Sequence, residues 1–194
     1  MISFLKRFAA IAATVCISAF VLTGCAASHS ADNHSDSGID YSVYNQDAVM
    51  FAQMMIPHHD QALTLTDLAL QKSADAEIMA LAKLIQAEQQ PEIIQMTSWL
   101  TAANAGPGSA SDHAGHMDGM LTDTQMAEIE AASGTDFDRL FLEGMKVHHE
   151  GAVSMAKDLI ENNPNPEVAA LAKQIIENQT QEIEYIKGLL KKFS

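Results

Sequence analysis

The amino-acid sequence predicts an all-α protein, an antiparallel four-helix bundle built from a duplicated helical hairpin. Apolar residues recur at helical spacing over long stretches, whereas few stretches alternate in the manner of a β-strand. Residues 51–100 align without a gap on residues 141–190 and share 15 identities in 50 positions, whereas chance at ordinary composition gives roughly 7%. Two hairpins of long amphipathic helices pack naturally as four antiparallel helices.

The N-terminus predicts export and a lipid anchor. Lys6 and Arg7 precede an apolar run over residues 8–22, which is too short to cross a bilayer comfortably. Residues 1–24 are therefore predicted to be a signal peptide. The Leu-Thr-Gly-Cys sequence at residues 22–25 resembles a bacterial lipobox, which implies cleavage before Cys25 and a lipid on its sulfur. The expected location is the extracytoplasmic face of the cell membrane, or a periplasm; the alternative is an ordinary secretory peptide cut nearby.

Charge and cysteine content narrow the possible functions. Cleavage before Cys25 leaves 170 residues, enough for one domain, with nine Lys and Arg against 25 Asp and Glu and a formal charge of −16. A chain this acidic attracts cations and is not expected to bind nucleic acid. Cys16 leaves with the signal peptide and Cys25 carries the lipid, so no thiol remains for catalysis or metal binding. Any metal site must use His, Met and carboxylate groups.

Composition and capping residues predict the boundaries. Residues 25–44 are rich in Ser, Asp and small side chains, which is typical of a flexible tether, so the folded domain is expected at 45–194. Its repeat halves are about 45–102 and 135–192. The predicted helices are about 46–71, 76–102, 136–161 and 166–192. The predicted N-caps are Asn45, Asp75, Thr135 and Asn165, with Asp138 completing a capping box after Thr135 and Pro166 at the first helical position.

A linker over residues 103–134 joins the two halves. Its first part is rich in Gly, Ala and Ser and is predicted to be a mobile loop. Residues 122–132 are predicted to form a short helix before Gly134. One long crossover of this kind resembles the ferritin-like arrangement of four helices.

Two adjacent histidines follow a methionine on the first helix of each half. Met55 lies one turn before His58 and His59, and Met145 stands in the same relation to His148 and His149. At least one His of each pair is therefore predicted to point into the bundle. The other His lies about 100° around the helix, and the sequence leaves open whether it also points inward or lies at the edge of the core.

The second helix of each half brings carboxylate and amide groups to the core. Gln89, Glu92 and Met96 form one stripe, which Gln179 and Glu182 repeat. A buried carboxylate is costly unless it is paired, hydrogen-bonded or bound to metal. The predicted core ligands are Met55, His58, His59, Glu92, Met96, Met145, His148, His149 and Glu182. The alternative is a His–Glu network that fixes helix register, with methionines as gap fillers.

The linker carries a second group of candidate ligands, His113, His116, Met117 and Met120. A mobile segment has no packing use for two methionines. Imidazole and thioether donors suit Cu(I), and imidazole also suits Cu(II). The sequence therefore predicts capture of copper at this surface; the alternative is a His-containing linker without a role.

The paired motifs resemble those of the bacterial family labelled domain of unknown function 305. The resemblance rests on MMIPHHDQAL at 54–63 and MKVHHEGAV at 145–153, each followed by a Gln-x-x-Glu-Ile motif. It covers about residues 45–192 and implies a ferritin-like bundle and, for CopM-like members, copper binding and copper resistance. The implied positions are Met55, His58, His59, Gln89, Glu92, Met96, Met145, His148, His149, Gln179 and Glu182. Ile186 replaces methionine in the second half, so two identical sites are not expected.

These observations favour a copper-binding lipoprotein for sequestration or hand-over of metal, not turnover. Cu(I) is favoured over Cu(II), with Ag(I) as a mimic, and no organic cofactor is expected. One alternative is a structural or partner-binding module of the cell envelope. Another is a ferritin-like metal-dependent oxidase, although the carboxylates are fewer than such sites use. A homodimer and an unidentified copper-transfer partner remain open.

Overall fold

The computed structural model describes residues 38–108, 117–162 and 165–193. Within these ranges the chain is helical, and the predicted elements are present with shifts of a few residues. The helices are α1 (Gln46–Lys72), α2 (Ala76–Ala102), α3 (Asp123–Ala131), α4 (Gly134–Glu161) and α5 (Pro166–Leu190), followed by a 3₁₀ turn at Lys191–Phe193. The signal peptide, Cys25, most of the tether, His113 and His116 lie outside the described residues.

The four long helices form an antiparallel bundle. Helix α1 packs on α2 and on α4, and α4 packs on α5. Hydrogen bonds close the ring between α2 and α5, because Trp99 Nε1 donates to Glu167 at 2.9 Å and Gln174 donates to Glu92 at 3.2 Å. The start of α1 lies beside the end of α4, so the end of α2 and the start of α4 lie at opposite ends of the bundle.

The helix starts follow the capping prediction at three of four positions. Asn45, Asp75 and Asn165 each accept a hydrogen bond from the first turn of their helix, and Pro166 occupies the first turn of α5. The prediction for Thr135 is wrong. Helix α4 begins at Gly134 with Ser133 as an N-cap that makes no side-chain bond, so Thr135 already lies within the first turn. The capping box is at α3, between Thr122 and Gln125.

The end of the linker is packed, contrary to the prediction of a mobile loop up to residue 120. Met117 and Leu121 are buried. Gln61 of α1 clamps Leu121, donating to its carbonyl at 2.9 Å and accepting from its N–H at 2.8 Å. The last tether residue, Tyr44, is also buried, and its ring lies 5.7 Å from that of Trp99. Both segments contribute apolar side chains to the bundle, which offsets the entropy lost in ordering them.

A polar layer divides the core at mid-height. One apolar cluster includes Phe51, Met55 and Met96, and the other includes Leu65, Phe141 and Met145. The buried polar residues between them are His58, His59, Gln89, Glu92, His148, His149, Gln179 and Glu182. In the described part of the chain, no helix has the length and apolar character needed to cross a bilayer. The fold therefore places the predicted core ligands together, in the middle of the bundle.

Candidate metal centre

His58 of α1 and His148 of α4 face each other across the centre of the bundle. Their ring centroids lie 3.7 Å apart with the ring planes tilted by 40°, and neither residue is exposed to solvent. The Nε2 atom of His58 lies 3.0 Å from the carbonyl oxygen of Asp118. Because a carbonyl only accepts, Nε2 of His58 carries the hydrogen and Nδ1 carries the lone pair. His58 Nδ1 and both ring nitrogens of His148 have no hydrogen-bond partner.

Burial keeps this imidazole pair neutral. Desolvation, aided by the charge that His59 would carry, lowers the pKa of His58 to about 3. Burial, and next the charge of His58, holds the pKa of His148 well below its usual value. A neutral imidazole has a nitrogen lone pair free, which is the form that binds metal ions.

A His–Glu pair lies inside each hairpin. His59 Nε2 lies 2.8 Å from Glu92 Oε2, and His149 Nε2 lies 2.8 Å from Glu182 Oε2. Since a carboxylate accepts, both Nε2 atoms donate, and neither Nδ1 atom has a hydrogen-bond partner. At least one His of each pair points into the core, as predicted, and the second does so too, because all four histidines are fully buried. The Glu partners make this burial possible.

The two His–Glu pairs differ in the second carboxylate oxygen. Glu92 Oε1 accepts from Gln174 Nε2 at 3.2 Å, whereas Glu182 Oε1 is buried without a partner. The amide groups of Gln89 and Gln179 are also buried, with neither oxygen nor nitrogen bonded. Unsatisfied polar atoms in this number are uncommon in a native core and call for a ligand, an ion or water.

Three predicted methionine ligands surround this layer. Met55, Met96 and Met145 are entirely buried. Met55 and Met145 each lie one helical turn before a histidine of the central pair, on the side toward which helical side chains lean. Of the linker ligands, Met117 is buried and Met120 is half-buried. Two imidazoles with thioethers one turn away match the donor preference of a soft monovalent ion.

The structure identifies residues that the sequence did not. A Cβ on Gly151 would overlap the carbonyl of Asp118, and Gly119, with φ +82°, packs against the backbone of α4. Gly151 and Gln61, ninety residues apart, thus both fix the linker segment that contacts His58. The alignment of the two halves places Gln61 opposite Gly151, and this difference between the halves is the sequence signal that could have identified them. Glu88 was also missed; partial burial, then the charges of Glu182 and Glu92, raises its pKa to about 7.

The donor chemistry fits a soft metal better than a carboxylate-bound one. Among the residues that the structure describes, no three His, Cys, Asp or Glu side chains converge as a metal-binding group. The central pair instead offers unpartnered imidazole nitrogens with buried thioethers nearby. Residues present at mid-bundle therefore fit Cu(I) or Ag(I), which accept few ligands of the N and S type.

Comparison with known proteins places the chain in a family. Three solved structures show the likeness. A DUF305 fragment from Deinococcus radiodurans is 33% identical with a TM-score of 0.70, covering 77% of this chain and 98% of its own. A DUF305 protein from Streptomyces coelicolor, described as secreted, is 28% identical with a TM-score of 0.70, covering 75% and 93%. CopM in its Cu(I)-bound form is 32% identical with a TM-score of 0.64, covering 75% and 96%.

CopM also has solved Cu(II)-bound, Ag-bound and apo forms that match this chain. Among functionally curated proteins, none matches. The family model for the domain of unknown function DUF305 matches residues 48–190, which are nearly all of the bundle. The chain belongs to the DUF305 family.

Proposed function

We propose that this protein binds copper as Cu(I) outside the cytoplasm and sequesters it or hands it on. The observation that carries the proposal is the buried His58–His148 pair, with its rings 3.7 Å apart and three ring nitrogens unpartnered. Burying three ring nitrogens without partners costs folding free energy. A bound ion would recover that cost, because it replaces the missing hydrogen bonds with metal–ligand bonds.

The soft donor set favours Cu(I) over harder ions. His58 and His148 supply imidazole nitrogen, and Met55 and Met145 supply thioether sulfur from the preceding turn. Thioethers favour Cu(I) and do not suit calcium or magnesium. The copper-bound and silver-bound forms of CopM support the same choice at the level of the family.

The remaining candidates take supporting roles. Glu92 and Glu182 hold His59 and His149 with Nδ1 free, in the manner of carboxylates that orient metal-binding histidines. Met96 lies in the apolar cluster next to this layer. His113, His116, Met117 and Met120 would capture metal at the linker, and Cys25 would anchor the protein through lipid. The secreted relative from Streptomyces coelicolor supports export.

A competitive Cu(I) titration against a chromogenic chelator tests the core site, with Zn(II) titrated in parallel. The test variant is His58→Phe/His148→Phe, because phenylalanine keeps an aromatic ring at each position and removes the nitrogens. We expect saturable binding of Cu(I), tighter than that of Zn(II), which the variant loses with its helix content intact. The matched control is His113→Ala/His116→Ala, which removes two imidazoles from the linker and leaves the core affinity unchanged.

The competing function is a structural module whose His–Glu layer only fixes the register of the helices. The two hydrogen bonds between His and Glu within the hairpins favour it. Failure of the parent protein to compete with the chelator would support this module and reject the copper site. Oxygen consumption with Cu(I) or Fe(II) separates storage from an oxidase, and storage predicts none above background.

A further inference from the structure

A surface groove between α1 and α4 contains three methionines outside the central layer. It has a volume of about 260 Å³. Its lining on α1 includes Asp47, Met50 and Met54, and its lining on α4 includes Met155 and Asp158. Met54 is the first residue of the motif MMIPHHDQAL, but none of these five residues is among the predicted core ligands, so the groove is distinct from the His58–His148 pair.

The three methionines of the groove range from exposed to buried. Met50 is 41% exposed, which is unusual for a large apolar side chain in this protein, and Met155 is 6% exposed. Met50 and Met54 are four residues apart and lie on one face of α1. Met155 comes from the opposing helix. Methionine side chains therefore line the same cavity from both walls.

The charge of the groove favours a cation. Asp47 and Asp158 contribute one carboxylate from each helix, and no Lys or Arg lines the cavity. Carboxylates at the rim raise the local concentration of metal cations. The thioethers then select among those cations, because they bind soft monovalent ions and disfavour zinc, calcium and magnesium.

The groove lies on the same interface as the central pair. His58 follows Met54 by four residues on α1, which is about 6 Å along the axis, and His148 precedes Met155 by two turns on α4. An ion held at the groove is thus within two helical turns of the buried imidazoles.

We propose that the groove is a second soft-metal site, in which Met50, Met54 and Met155 bind Cu(I) and from which the central pair is loaded. Binding at the groove stands on the groove's own residues, and loading rests on the proposed function of the core. No covalent or redox step is required, because the ion exchanges one set of neutral donors for another.

Nuclear magnetic resonance of the methionine methyl groups tests the groove, with Ag(I) as a redox-inert probe of the purified protein. We expect the Met50, Met54 and Met155 methyl signals to shift on addition of Ag(I). The Met50→Leu/Met54→Leu variant should bind one Ag(I) fewer than the parent and load the core more slowly. The matched control is Met79→Leu/Met126→Leu, which replaces two partly buried methionines outside the groove and should bind as the parent does.

The outcomes separate the groove from the core. If Ag(I) shifts the His58 and His148 signals but leaves the three groove methyls unmoved, the groove is rejected and the core site stands. If the groove methyls shift in a protein whose imidazoles do not respond, the groove site stands and the core function is rejected. An unchanged loading rate in Met50→Leu/Met54→Leu, with one Ag(I) lost, rejects the transfer route alone.

Discussion

The imidazole of His58 lies against that of His148 at a centroid distance of 3.7 Å, where α1 packs on α4 at the centre of the bundle. The two residues are ninety positions apart and each follows a buried methionine by one turn. Apolar clusters lie on both sides of this contact. The bundle therefore concentrates most of the unpaired polar side-chain atoms of the described residues in one layer.

Replacement of the two buried glutamates should give unequal losses of stability. Both oxygens of Glu92 accept hydrogen bonds, from His59 and Gln174, and Glu92→Gln leaves one donor without an acceptor. In Glu182→Gln the amide nitrogen takes the place of an oxygen that already lacks a partner. We expect Glu92→Gln to lower the free energy of unfolding by about 1 kcal/mol more than Glu182→Gln.

Urea unfolding of the metal-free variants measures this difference. The control is Glu184→Gln, which removes an exposed ion pair with Lys187 and should change stability little. Equal losses of stability for the two buried glutamates would show that the hydrogen bond from Gln174 to Glu92 does not stabilise the protein in solution.

Alanine at Gly151 should displace the linker from the central pair. The new Cβ would overlap the Asp118 carbonyl, which is the partner of His58 Nε2. Gly188→Ala is the matched control, since a Cβ there meets nothing within 4 Å. We expect Gly151→Ala to destabilise the protein, while the control gains about 0.5–1 kcal/mol from higher helix propensity.

The imidazole nitrogen signals of His58 report whether the linker has moved. In the parent, Nε2 is expected to carry the hydrogen, and in Gly151→Ala this preference should weaken. Retention of the parent signals together with parent stability would contradict the packing of Asp118 and Gly119 against α4.

Acidification should destabilise the metal-free protein. The pKa of His58 falls from 6.5 unfolded to about 3 folded, and that of His148 is also lowered. Below about pH 6.5 the two histidines bind protons in the unfolded chain but stay neutral in the folded core. This difference lowers the free energy of unfolding by about 1.4 kcal/mol per pH unit for each His. The stability present above that pH is therefore lost progressively as the pH falls toward 3.

Glu88 changes the pH dependence of stability in the opposite direction and serves as an internal control. Its pKa is raised from 4.5 to about 7, so the folded state holds a proton between these values, and acidification there favours folding. One partly exposed Glu does not outweigh two buried His. Urea unfolding across this range should show a steeper loss in Glu88→Gln and a flatter one in His58→Phe/His148→Phe. Stability independent of pH would contradict neutral burial of the pair.

Capping substitutions should distinguish α1 from α4. Asn45 Oδ1 accepts from the Ala48 N–H at 2.9 Å, so Asn45→Ala is expected to cost about 1 kcal/mol. Thr135 lies inside the first turn of α4 and caps nothing, so Thr135→Ala should be close to neutral. Thermal unfolding compares the stability of the two variants. A loss of stability in Thr135→Ala as large as that in Asn45→Ala would show that Thr135 caps α4, as expected from the sequence.

Much of the candidate site follows from sequence because its residues repeat at helical spacing. Met55, His58 and Glu92 could be assigned to core faces, and the structure places all three in the core. The burial of His59 and His149 could not be assigned, because each lies a third of a turn off the main face. Only the position of the neighbouring helix decides whether that angle meets solvent or, as here, a Glu side chain.

The sequence by itself determined the helices, most of their caps and the family, since these depend on local periodicity, on side chains three residues apart and on motifs within one segment. The tertiary structure alone decided the contacts between segments. It set His58 against His148, brought the Asp118 carbonyl to His58 and placed Met155 across one groove from Met50 and Met54. These relations join residues that are sixty to more than a hundred positions apart, and no local preference specifies them. They arise only when the four helices bury their apolar faces together.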